Sequence, residues 1–116
     1  MHYQSKIRHS LRVSQNPEEL SNRLAVELPK LGMAVRGHQR GVSLTGTMLR
    51  PFSLAWGQHV RVDLRPVDRQ HTAVTIEAAF PFPRIDFSHE HERTVALIED
   101  LVGAGEPAGA RDRAVA

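Results

Sequence analysis

Between Trp56 and Phe82 the chain alternates apolar and polar residues, turns, and alternates back. Val60, Val62 and Leu64 take one parity, and His59, Arg61, Asp63 and Arg65 take the other. After a turn at Asp68–Gln70, Val74, Ile76, Ala78 and Phe80 resume the apolar side, with Thr75 and Glu77 opposite. A period of two on both arms of a short polar loop predicts a half-buried antiparallel hairpin. If Val67 faces His71, Val62 pairs with Ile76 and Arg61 with Glu77, which keeps each face uniform.

The same reading extends to both sides. Residues 5–13 predict a strand with Ile7, His9, Leu11 and Val13 on one face and Lys6, Arg8, Ser10 and Arg12 on the other. A helix follows. Asn16 is its N-cap, Pro17 its first residue and Glu19 the third position of a capping box. Leu20, Leu24, Leu28 and Leu31 form its apolar stripe, Pro29 ends or kinks it, and Gly32 stops it. Met33–His38 and Val42–Met48 read as a second hairpin, with Met33, Val35, Val42, Leu44 and Met48 facing in and Arg36 and His38 facing out. Gly37 and Gly46 fall on the inward parity, where a glycine marks a bend or a close approach.

Residues 49–58 read as a turn or bulged segment, and Pro81 and Pro83 end the sheet. Ser88 can cap a last helix with Val95, Leu97, Ile98, Leu101 and Val102 as its apolar positions. From Gly103 onward there is no periodicity and little to pack. The expectation is one domain over 1–103 and a disordered tail over 104–116. The element order is β-α-β-β-β-β-α: an α+β two-layer sandwich, a curved antiparallel sheet with both helices on one face.

This order resembles the helix-grip (START-like) family of lipid- and polyketide-binding domains, in a shortened version. It is also similar to the half-repeat of the TATA-binding-protein fold. The segment Pro51-Phe52-Ser53 with Trp56-Gly57, the strand Val60, Val62, Leu64, and Pro83-Arg84-Ile85-Asp86 look like small bacterial proteins of the first kind. The first resemblance implies a ligand held between sheet and last helix; the second implies a nucleic-acid-facing sheet.

Composition narrows the classes. The chain has 116 residues, 41% of them hydrophobic, and no cysteine, which removes disulfides, thiolate zinc sites and thiol nucleophiles. No apolar run is long enough to span a bilayer and the first residues lack a signal-peptide core, so a cytoplasmic protein is expected. The net charge of +2 is unevenly placed. Residues 33–66 hold Arg36, Arg40, Arg50, Arg61 and Arg65 against Asp63, whereas 86–100 hold Asp86, Glu90, Glu92, Glu99 and Asp100 against Arg93. Arginine supplies thirteen of fifteen basic residues, and its planar fork suits phosphate and carboxylate.

Candidate chemistry is sparse. Asp86, His89, His91 and Glu92 cluster in sequence, but an exposed acidic helix start accounts for them, and neither a metal nor a cofactor is expected. No nucleophile motif accompanies His9 or His59, and no enzyme is expected. Two binding readings remain. In the first, a small apolar or amphipathic ligand sits between the curved sheet and the last helix, lined by Met33, Met48, Phe52, Trp56, Phe80 and Phe82, with Arg84 or His59 at the mouth. In the alternative, Arg8, Arg12, Arg36, Arg61 and Arg65 make the outer sheet face a site for nucleic acid or another polyanion. Nucleic acid is not favoured, because that face lacks stacking aromatics. The same face could pair two copies as a homodimer.

Overall fold

A computed structural model describes residues 6–49, 57–79, 88–103 and 112–114. Its elements are β1 (Lys6–Val13), α1 (Pro17–Glu27), β2 (Met33–Gln39), β3 (Ser43–Met48), β4 (His59–Pro66), β5 (Thr72–Ala79), α2 (Ser88–Gly103) and β6 (Asp112–Ala114). The strands form one antiparallel sheet in the order β2-β3-β4-β5-β1-β6. Both helices lie on one face, α2 over β1 and β5 and α1 over β2, β3 and β4. The expected α+β sandwich is what the chain forms.

The central hairpin has the register its alternation dictates. The Val67 amide donates to the His71 carbonyl at 3.0 Å; Val62 pairs with Ile76 and Arg61 with Glu77. Val60, Val62, Leu64, Val74, Ile76 and Ala78 are all buried. Leu20, Leu24, Leu28, Val95, Ile98 and Val102 cover them from the helices, with Leu31 and Leu101 partly buried at the margin. Each such aliphatic side chain removed from water contributes about 1.5–3 kcal/mol, so this layer holds the domain together.

Local chemistry sets the helix ends. The Asn16 side chain accepts from the Glu18 and Glu19 amides, satisfying two of the donors that a helix start leaves open. Pro29 lacks the amide that would continue α1, so the chain tightens into a 3-10 turn over Leu28–Leu31 and stops at Gly32 in the left-handed conformation, φ 95°.

Four sequence expectations need correction. The register of β2 against β3 slips between Val35 and Gly37, so Arg36 is an extra, bulged residue. Beyond the slip, Gly37 lies opposite Thr45 on the outer face and His38 opposite Leu44 on the helix side, the reverse of simple alternation. Val42 does not face in; it lies in the turn, its amide on the Gln39 carbonyl and its carbonyl on the Leu64 amide, and its side chain is 52% exposed. Lastly, within the stretch expected to be a disordered tail, Asp112–Ala114 pairs with Ser10–Arg12 of β1 as a sixth strand. A ladder needs only backbone groups and an open edge, so the absence of apolar periodicity did not preclude it.

Candidate functional site

The outer face of the sheet, away from the helices, gathers the basic residues. Register places Arg8, Glu77, Arg61, Thr45 and Gly37 in one row across five strands, and Asp112, Arg12, Ala73 and Arg65 in another. A third row runs Lys6, Ala79, His59, Thr47 and Ala34. Carboxylates temper the charge. Lys6 lies 3.6 Å from Glu77, and Arg61 Nε donates to both Asp63 oxygens at 2.9 and 3.0 Å. That hydrogen bond, and then the charge of Asp63 itself, holds the Arg61 guanidinium above its ordinary pKa. Arg8, Arg12, Arg36 and Arg65 are exposed and form no ion pair among the described residues.

A hollow of about 340 Å³ opens on this face. Arg36, Thr45, Thr47, His59, Arg61 and Glu77 line it, above the backbone of β3 and β4 at Gly46 and Val60. The bulge brings Arg36 to the rim. Gly37 carries no side chain beneath Thr45; a Cβ there would stand 2.7 Å from the Thr45 hydroxyl oxygen. The five arginines of the expected basic face, Arg8, Arg12, Arg36, Arg61 and Arg65, thus lie on one surface, and Lys6 adds to it.

The interior reading fares differently. Phe52, Trp56, Phe80, Phe82 and Arg84 lie outside the described residues. Met48 is buried, and the space it lines with Leu28, Leu31, Met33, Thr94, Leu97 and Ile98 amounts to about 10 Å³, no more than a single water needs. Beside it sits a buried polar group that sequence reasoning missed. Thr94 Oγ1 donates to Gln58 Oε1 at 2.7 Å, and Gln58 Nε2 is hydrogen-bonded to His91 Nδ1. Gln58 and His91 are fully buried. His91 therefore does not belong to an exposed helix start: it turns inward to meet the residue that precedes β4. His91, Thr94, Val95, Ile98 and Val102 share a helical face at steps of three and four, which is the signal that could have placed it inside. Asp86 and the His89 side chain lie outside the described residues. Glu99, also buried, is 3.6 Å from His9 Nδ1 across the β1–α2 contact. Among the described residues, no three His, Asp or Glu side chains gather as metal ligands would.

No family model matches the sequence, and no curated protein does. Solved structures do align with it. The Aha1 dimer from Colwellia psychrerythraea, determined in solution, matches with a TM-score of 0.59 at 13% identity, over 88% of this chain and 98% of that one. Norcoclaurine synthase from Thalictrum flavum, in complex with dopamine and hydroxybenzaldehyde, aligns at a TM-score of 0.49 and 14% identity over 87% and 85% of the two chains. A solution structure from Thermobifida fusca aligns at 0.46 and 18% identity over 86% and 83%. At such identities the likeness is one of fold, carried by the first of the three, and it agrees with a helix-grip-like arrangement.

Proposed function

We propose that this chain is a non-enzymatic binding domain that presents the outer face of its sheet to an extended anionic partner, the phosphate backbone of a nucleic acid. One observation carries the reading: Arg8, Arg12, Arg36, Arg61 and Arg65 come from three strands yet share one surface, with Glu77 and Asp63 among them and Asp112 opposite Arg12 in the β6 register. Guanidinium groups suit phosphate oxygens. Among the described residues the face carries no Phe, Tyr or Trp, so the expected mode is backbone contact with little base stacking or sequence choice. A second copy is the less favourable occupant. The Aha1 structure that this chain resembles in fold is a dimer, but pairing two such faces here would bring like charges together.

The test is duplex binding by fluorescence anisotropy across a salt series. Affinity falls steeply with salt, and Arg12→Ala with Arg65→Ala flattens the slope by roughly two counterions. Binding that ignores salt, or a double variant with an unchanged slope, removes the reading.

A second reading keeps a small apolar or amphipathic ligand between sheet and α2. The buried Gln58–His91–Thr94 group favours it, since an apolar site with a few fixed polar atoms is the usual form of a small-molecule pocket. Titration of the full chain with fatty acids and aromatic polyketides, followed by Trp56 fluorescence, tests it: a saturable, stoichiometric change supports the ligand, and a flat response removes it. No helix among the described residues is long and apolar enough to cross a membrane.

A further inference from the structure

We infer that the hollow beside the Arg36 bulge is a discrete subsite for one phosphate group. The inference rests on the reading of the outer face as anion-binding and specifies where on that face a tetrahedral oxyanion is held.

A phosphate group presents acceptor oxygens in several directions, so it is best held by donors that come from several elements. The hollow supplies them from three strands: Arg36 from β2, Thr45 and Thr47 from β3, His59 and Arg61 from β4. A planar carboxylate needs only one guanidinium fork and would gain little from the others. Arg61 is fixed in place because its Nε is bound to Asp63, while its two terminal nitrogens have no hydrogen-bond partner among the described residues. Arg36, Thr45 and Thr47 likewise form no side-chain hydrogen bond among the described residues.

The backbone adds an independent argument. Without the slip at Val35–Gly37, residue 37 would face the helices; with it, Arg36 and Gly37 both serve the outer surface. Bulges commonly re-aim a side chain at a binding site. Thr45 lines the hollow, and an alanine Cβ at 37 would stand 2.7 Å from its hydroxyl oxygen, so glycine there leaves that hydroxyl undisturbed. Glu77 also lines the hollow and lies 3.6 Å from Lys6. Its carboxylate opposes an entering anion, so neutralising it strengthens a true phosphate site.

The phosphate could belong to a nucleic-acid backbone or to a small phosphorylated molecule, and the experiment separates the two. The full chain, labelled with nitrogen-15, is titrated with inorganic phosphate, pyrophosphate and a short duplex, each against sodium chloride at matched ionic strength. Inorganic phosphate should produce saturable amide shifts confined to Gly37, Thr45, Thr47 and Arg61. Arg36→Ala should weaken binding roughly tenfold, the loss of one charge-assisted contact, and E77Q should tighten it. G37A should weaken it too; if G37A fails to fold, Thr45→Val replaces it. Pyrophosphate saturating far below duplex concentrations assigns the site to small phosphates, and competition between inorganic phosphate and duplex assigns it to the polymer; both support the subsite. Shifts that do not saturate, spread evenly over the basic face, or ignore Arg36→Ala and E77Q overturn it. Duplex binding lost in Arg12→Ala/Arg65→Ala but kept in Arg36→Ala overturns the subsite and leaves the outer-face reading standing. Saturable phosphate binding at the hollow with no duplex binding keeps the subsite and overturns the polymer reading.

Discussion

Arg23 Nη1, on α1, donates to the carbonyl oxygen of Leu101 in the last turn of α2 at 2.7 Å. Its Nη2 reaches the Val102 carbonyl at 2.8 Å and Gln15 Oε1 at 2.8 Å, and Gln15 Nε2 donates to the same Val102 carbonyl at 2.7 Å. The last turn of α2 has no basic residue of its own, so a guanidinium from the other helix answers its open carbonyls and the negative end of its dipole. Arg23→Ala should cost roughly 1.5–3 kcal/mol, the range for hydrogen bonds to a charged group. Arg23→Lys should recover part of this. Urea denaturation followed by far-UV circular dichroism gives both values. An alanine variant with an unchanged midpoint would show that the clamp contributes nothing.

Gly46 and Gly37 occupy neighbouring positions of the β2–β3 ladder and should respond differently to alanine. A Cβ at 46 would stand 2.4 Å from the Ala34 carbonyl oxygen and 2.6 Å from Met33 Cε. Backbone cannot move aside, so Gly46→Ala forces the two strands apart and should lose several kcal/mol, in the upper range of single substitutions. At 37 the obstacle is the Thr45 hydroxyl, which can rotate, so Gly37→Ala should cost clearly less. Thermal melting of the two variants side by side checks the order; equal losses would contradict the geometry.

The β4–β5 turn titrates at its carboxylate. Asp68 Oδ1 accepts from the Gln70 amide at 2.8 Å and the His71 amide at 2.9 Å, and the carboxylate also meets the His71 ring. These contacts, the Gln70 amide foremost and the His71 side chain next, hold Asp68 below the ordinary carboxylate range. A depressed value means the turn is supported while Asp68 is ionised and loses that support as pH falls through the folded value. The Gln70 and His71 amide resonances should therefore move together in acid, below the usual range for aspartate. Asp68→Asn keeps an acceptor oxygen and should abolish that movement. Its persistence in the variant would assign the titration elsewhere.

The strand and helix elements were legible because each carried two signals that agree. In β4 and β5 the alternation and the Val67–His71 closure select one register, and at α1 the Asn16 cap and the leucine stripe mark the same segment. The misses share a different cause. The bulge at Arg36 changes facing without changing composition, so parity misplaces Gly37 and His38. Val42 is β-branched and apolar, but the turn sets its direction. His91 and Glu99 read as solvated charges on an acidic helix, whereas the sheet buries them against Gln58 and His9. A polar residue on an apolar stripe has no meaning in sequence until its partner on another element is known. Of the candidate sites, the basic face was legible because strand parity alone assembles it. The hollow within it was not, since it depends on where the Arg36 bulge sets that side chain against Thr45, Thr47, His59 and Arg61 on the neighbouring strands.

Met48 decides between the two interior cases. It is 4% exposed, and the void it shares with Leu28, Met33 and Ile98 is about 10 Å³. In a space that full, cutting methionine to alanine removes packed atoms that neighbours cannot replace, and the cost should be about 2–5 kcal/mol. If Met48 instead formed the wall of a ligand cavity, its neighbours would already be partly unpacked, and truncation would cost little while changing ligand affinity. The expected outcome is a large loss of stability in Met48→Ala, with Trp56 fluorescence flat across fatty acids and aromatic polyketides in both proteins. A variant that melts near the parent yet loses a saturable Trp56 response would move the binding site from the outer face to the interior.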